Sequence, residues 1–174
     1  MPVIPLLRFA AALLTVILLH ALGVWLVPEF ARSIDLFLVL TVIYALGGDT
    51  MVGLLVGLVA GLTNDVLTGS LFALHGFVDT LVGYGMARLA QRLVIDRVSG
   101  AFLVTGVASA LQQVLLAGLV LLLLPQPELP EPVWIAIRAA GTGMAAAAVL
   151  LASRNLRTNL AERRQRKAQR LHLD

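Results

Sequence analysis

Apolar residues run almost without interruption from Phe9 to Ala152, and Leu, Val, Ala and Gly dominate every stretch between them. No other feature constrains the fold as much. Backbone polar groups placed in hydrocarbon must be satisfied within the chain, so long apolar runs of this kind form membrane-spanning helices. Only 13% of the residues are charged, about half of the roughly 25% usual in a soluble domain. The reading is an all-α, polytopic integral membrane protein, with no length left for a soluble catalytic domain.

Breaker residues divide the apolar sequence into six candidate spans. They are Leu6–Val27, Ile34–Leu46, Thr50–Leu67, Leu71–Ala90, Ala101–Leu124 and Val133–Ser153, separated by signals such as "PEFARS", "GGD", "TGS" and the proline-rich "PQPELPEP". The first is expected to stay as an uncleaved helix, because its apolar run continues to Pro28. Residues 1–153 are thus expected to form a six-helix transmembrane domain and residues 154–174 a basic tail.

Cations sort to one side of this layout. Arg8, the group Arg88, Arg92 and Arg97, and the C-terminal cluster share one face, whereas the opposite loops hold Arg32 alone. The positive-inside rule then places both termini in the cytoplasm. The tail also explains the net charge of +3: without Arg157, Arg163, Arg164, Arg166, Lys167 and Arg170, seven cations would face ten acids. The basicity is local and suits anionic lipid; no nucleic-acid groove is implied. The absence of cysteine excludes disulfides, thiolate metal sites and thiol catalysis.

The third span carries Gly53, Gly57, Gly61, Asp65 and Gly69 at four-residue intervals. This spacing keeps them on one helical face, and small residues there let another backbone approach closely. The row is read as a packing face within the bundle, with docking of a partner helix on it as the second reading. Similar rows occur in the sixth span (Ala139, Gly143, Ala147) and the fifth (Gly106, Ala110).

Ionisable residues within the spans are costly and normally pair with one another. Asp35, Asp65, His75, Asp79 and Arg138 all fall in the outer half of the six-span layout, so Asp35, His75, Asp79 and Arg138 are read as an intramembrane polar cluster. Matched depth and opposite charge pair Arg138 with Asp79 or Asp65, with His75 completing the hydrogen bonds. His20 and the mid-span Gln112 and Gln113 are expected to hydrogen-bond within the bundle. Asp65, His75 and Asp79 could ligate zinc or iron by type, but the ten-residue gap and the lack of a paired histidine supply no ligand pattern. No nucleophile-and-base pair is present, and the reading calls for neither enzyme activity nor a cofactor. A channel or ion carrier using Asp65 and Asp79 would need a continuous polar path, and the inner halves of the spans supply almost none.

The stretch Gly57–Tyr84 resembles the signature region of the rod shape-determining MreD family. The resemblance rests on Asp35 in "SIDLFLVL", Gly57, Gly61 and Asp65 in "GLVAGLTNDVL", Gly69 and Ser70 in "TGSLFALHG", and Tyr84 in "TLVGYG". Two positions depart from it: Ile34 stands where a proline is usual, and Ala73 where a glycine is usual. The resemblance implies a non-enzymatic subunit of the bacterial cell-elongation machinery in the cytoplasmic membrane. Its implied partners are MreC, a single-span coiled-coil protein, and through it RodA, a class B transpeptidase and, indirectly, MreB filaments. It also implies a fold similar to the S components of energy-coupling-factor transporters. The alternative function follows from that likeness: a vitamin-uptake S component with the outer polar cluster as its ligand pocket.

Overall fold

The computed structural model describes residues 3–69, 73–92, 98–123 and 131–171, with the side chains of residues 3–4 and 156–171 left aside. Ser70, Arg97 and most of the proline-rich loop therefore lie outside the described residues. Every regular element among those described is a helix: α1 (Val3–Leu26), the single-turn α2 (Phe30–Ser33), α3 (Leu36–Ala45), α4 (Thr50–Thr68), α5 (Leu74–Ala90), α6 (Val98–Leu123) and α7 (Pro132–Leu171).

Four of these helices, α1, α4, α6 and the Pro132–Asn155 part of α7, are long and apolar enough to cross a membrane. At 17 residues α5 falls just short of that length. Ile34–Leu67, expected to hold two helices, does break after Leu46: Gly48 takes a positive φ of 80°, and Asp49 caps α4 by accepting from the Met51 and Val52 amides. The last helix runs on beyond the apolar segment, which ends near Ser153. The backbone of α7 stays helical to Leu171, so the basic tail prolongs the final helix.

The 10-residue α3 is the structural centre. It is only ~15 Å long, half the ~30 Å hydrocarbon thickness. A helix that short leaves its ends at membrane depth, which is tolerable only when protein surrounds it. Phe37, Leu38, Val39, Leu40, Thr41, Val42 and Ala45 are all buried, and α3 packs against α1, α4, α5, α6 and α7. Leu38, Val42 and Ala45 meet Val78, Val82 and Ala87 of α5 and Ala108 of α6 on one side. Phe37 and Leu40 meet Val56 and Ala60 of α4 on the other, with Leu13, Val16 and Ile17 of α1 closing that cluster. By contrast, α1 lies at the periphery, with one partly buried face and few fully buried residues.

Two tight antiparallel hairpins surround this core. A Cβ built on Gly53, Gly57 or Gly61 of α4 would collide with the carbonyl group of Gly83, Asp79 or His75 of α5. Each step of four along α4 therefore matches a step of four back along α5, and a glycine Cα faces a carbonyl oxygen at every step. That is the arrangement of Cα–H···O contacts between closely packed helices. The second hairpin repeats the rule: Gly106 of α6 faces the Ala139 carbonyl, and Gly143 of α7 faces the Phe102 carbonyl.

The glycine row ends differently from the expectation. Gly69 does not lie on the packing face; it caps α4 in the left-handed conformation (φ 63°, ψ 22°), with open space where a side chain would go. Such a cap suits glycine, which meets no steric penalty at positive φ.

Ala73, at the start of α5, also has a left-handed backbone (φ 74°) and is the only non-glycine residue at positive φ among those described. An alanine there is strained, and this is the position where the resemblance calls for glycine. Ala73→Gly is expected to stabilise the protein by about 1 kcal/mol, read as a rise in the midpoint of unfolding in mixed micelles. An unchanged or lower midpoint would refute the strain. Ile34, the other departure, has φ −140° and donates its amide to the Phe30 carbonyl (2.9 Å). A proline, with φ near −65° and no N–H, could do neither.

Candidate functional site

The buried polar residues fall into two adjoining groups. Asp35 is the hub of the first. It is the N-cap of α3, its Oδ1 accepting from the Leu38 amide at 2.9 Å, the usual way a carboxylate satisfies an exposed helix amide. Its own amide donates to Thr142 Oγ1 on α7 at 3.0 Å. Its Oδ2 accepts from the Arg138 guanidinium of α7 at 2.6 Å and from Gln112 Nε2 of α6 at 3.0 Å. The same Gln112 Nε2 donates to Asp79 Oδ1 on α5 at 2.6 Å. One carboxylate thus ties α3 to α6 and α7, and one amide extends the tie to α5.

Arg138 is therefore the partner of Asp35, correcting the expected pairing with Asp79 or Asp65. The carboxylate of Asp35 is 1% exposed and the Arg138 side chain 16%. A charge-assisted bond of this length in so dry a setting is among the strong ones. Lone charges at this depth would be costly, and here Asp35 and Arg138 match each other. Gln112 is wholly buried and bonds between helices as expected. Thr142 was not singled out in the sequence; nothing separates it from other membrane-helix threonines until α3 is seen against it.

Asp65 and His75 form the second group. Ala73, the N-cap of α5, has no side-chain acceptor. Asp65, at the end of α4, supplies one: Oδ1 accepts from the His75 amide (3.1 Å) and Oδ2 from the Gly76 amide (3.0 Å). His75 Nδ1 lies 2.8 Å from Asp65 Oδ1. A carboxylate at a helix N-terminus gains from the aligned peptide dipoles as well as from the amides. The fourth step of the glycine-spaced row is thus a cap delivered across the turn between the two helices, and His75 belongs with Asp65 rather than with Arg138.

His20, expected to be hydrogen-bonded, is held by rings instead. It packs at 5.3 Å from the Phe37 ring and 6.3 Å from Phe30. Its buried Nδ1 has no hydrogen-bond partner among the described residues. At the same end of the bundle, the Arg32 guanidinium sits 4.7 Å above the Trp134 ring and fastens α2 to α7. Among the described residues no three histidine, aspartate or glutamate side chains converge as metal ligands.

Short central helix, glycine-packed hairpins and a hydrogen-bonded polar cluster define a polytopic all-α membrane protein whose buried polar groups cross-link its helices. The model of the rod shape-determining protein MreD family matches residues 3–128. The chain belongs to that family, and it is a rod-shape-determining membrane protein. No curated protein and no solved structure matches it.

Proposed function

We propose that this chain is a non-enzymatic subunit of the cell-elongation machinery in the cytoplasmic membrane, with both termini on the cytoplasmic side. It binds a single-span, MreC-like coiled-coil protein and through it helps scaffold RodA and a class B transpeptidase, with MreB filaments as indirect partners. The observation that carries this reading is the family match across residues 3–128. The organisation of the polar cluster is in keeping with it: Asp35, Arg138 and Gln112 are engaged with one another and serve to fix helix positions. A scaffold needs such a rigid bundle.

The small-residue rows are occupied. Gly53, Gly57 and Gly61 lie under α5, and the α6 and α7 rows face each other. A partner helix therefore docks on an outward surface, and the membrane domain with its α7 extension presents that surface. Under the alternative S-component reading, the cluster would have to open to hold a ligand.

The deciding experiment is affinity purification of the tagged protein from native membranes in mild detergent, with mass spectrometry of what stays bound. The expected result is a single-span coiled-coil protein together with cell-wall synthases. Recovery of two ATPases and a coupling subunit would overturn the scaffold reading in favour of uptake.

A further inference from the structure

The seam between α5 and α6 is much looser than the two glycine-packed hairpins. The helices meet at the Gln112–Asp79 bond and in the core cluster that holds Ala108 with Val78 and Val82. Toward the C-terminal end of α5 they part around an apolar groove lined by Met86, Leu89, Leu103, Val104 and Val107. Leu89 also borders an open depression formed with Gly85, Arg88, Gln91 and Arg92. Arg88 and Arg92 are both exposed there and make no ion pair or hydrogen bond with any described residue. Gly85 has open space where a Cβ would stand, so the approach to them is unobstructed.

We propose that this junction is a binding site for an anionic diacyl phospholipid, with the phosphate held by Arg88 and Arg92 and one acyl chain lying in the α5–α6 groove. Arginines at i and i+4 share a helix face, and guanidinium groups match phosphate oxygens with paired donors. The end of α5 puts them where a headgroup would sit, and the groove adjoins them through Leu89. The groove suits a flexible chain better than a helix. Close helix docking in a membrane requires small residues at the contact, and here the lining is made of larger side chains, Met86, Leu89, Leu103, Val104 and Val107. The site lies away from the buried polar cluster and does not depend on the identity of the protein partner.

Native mass spectrometry of the full-length protein, offered phosphatidylglycerol and phosphatidylcholine in equal amounts, tests the site. The intact protein is expected to retain phosphatidylglycerol preferentially. Arg88→Gln/Arg92→Gln should reduce that preference about thirtyfold, since each cation near an anionic surface contributes about fivefold. Val104→Trp, which fills the groove, should displace both lipids without changing the helical circular dichroism. Neutralising the tail at Arg163, Arg164, Arg166 and Lys167 should leave the preference in place. If the Arg88→Gln/Arg92→Gln protein kept its preference, the assignment would be overturned, whatever the tail variant did.

Discussion

Arg138→Leu is expected to destabilise the folded protein by about 3–5 kcal/mol, the usual result of removing one partner from a buried ion pair. The loss comes less from the missing bond than from what remains. Asp35 is 2% exposed, and its Oδ2 would be left with Gln112 alone while Asp79 accepts from the same amide. Two carboxylates would then share a single side-chain donor, with the Leu38 amide on Asp35 Oδ1 as the remaining neutral donor. Titration of the purified protein with SDS in mixed micelles reads the effect directly. The double variant Asp35→Asn/Arg138→Leu should recover a substantial part of the stability, because position 35 then no longer carries a charge that has lost its guanidinium. Asp79→Asn should cost little, since an amide oxygen can still accept from Gln112 and the network loses a carboxylate that the single guanidinium does not contact. A cost below about 1 kcal/mol for Arg138→Leu would show that the pair contributes no more than an exposed one.

Gly57 gives the second large effect. A Cβ at this position would collide with the carbonyl carbon and oxygen of Asp79 and with the Thr80 amide nitrogen. Those are backbone atoms, so no side chain can rotate out of the way and the helices must part. Overpacking of this kind costs about 1–3 kcal/mol for a single methyl group and more for larger side chains. Gly57→Ala is therefore expected to lose about 3 kcal/mol, and Gly57→Leu to fail to accumulate as folded protein. Asp79 is at the collision point, so moving α5 outward also draws its carboxylate away from Gln112. Gly85→Ala is the matched control on the neighbouring helix: nothing lies within 4 Å of the place its methyl group would take, and no loss is expected. Equal behaviour of the Gly57→Ala and Gly85→Ala proteins, measured in the same SDS titration, would refute the close approach of α4 and α5.

Much of this architecture is legible in the residues themselves. Apolar runs set the membrane class, because hydrocarbon admits helices and little else. Breakers and caps set the helix ends: the turn before Asp49 divides α3 from α4, and the four-residue glycine spacing of α4 marks a face for close packing. Asp35, Asp65, His75, Asp79 and Arg138 could be placed at a common depth, because each residue of a helix advances the chain by ~1.5 Å.

What the sequence could not determine was the angular position of each helix about its own axis and within the bundle. Depth alone allowed Arg138 to reach Asp79 or Asp65; the tertiary structure gave it to Asp35, because α3 is inserted at the centre with its N-cap against α7. The same insertion brings Gln112 between two carboxylates from sequence-distant helices. Asp65 turned from a step in a packing row into the cap of α5 because Ala73 cannot cap its own helix, a need visible only once the turn is folded. Position along a membrane helix is written in the count of residues; which neighbour each residue meets depends on helix rotation and on the order of helices around the core.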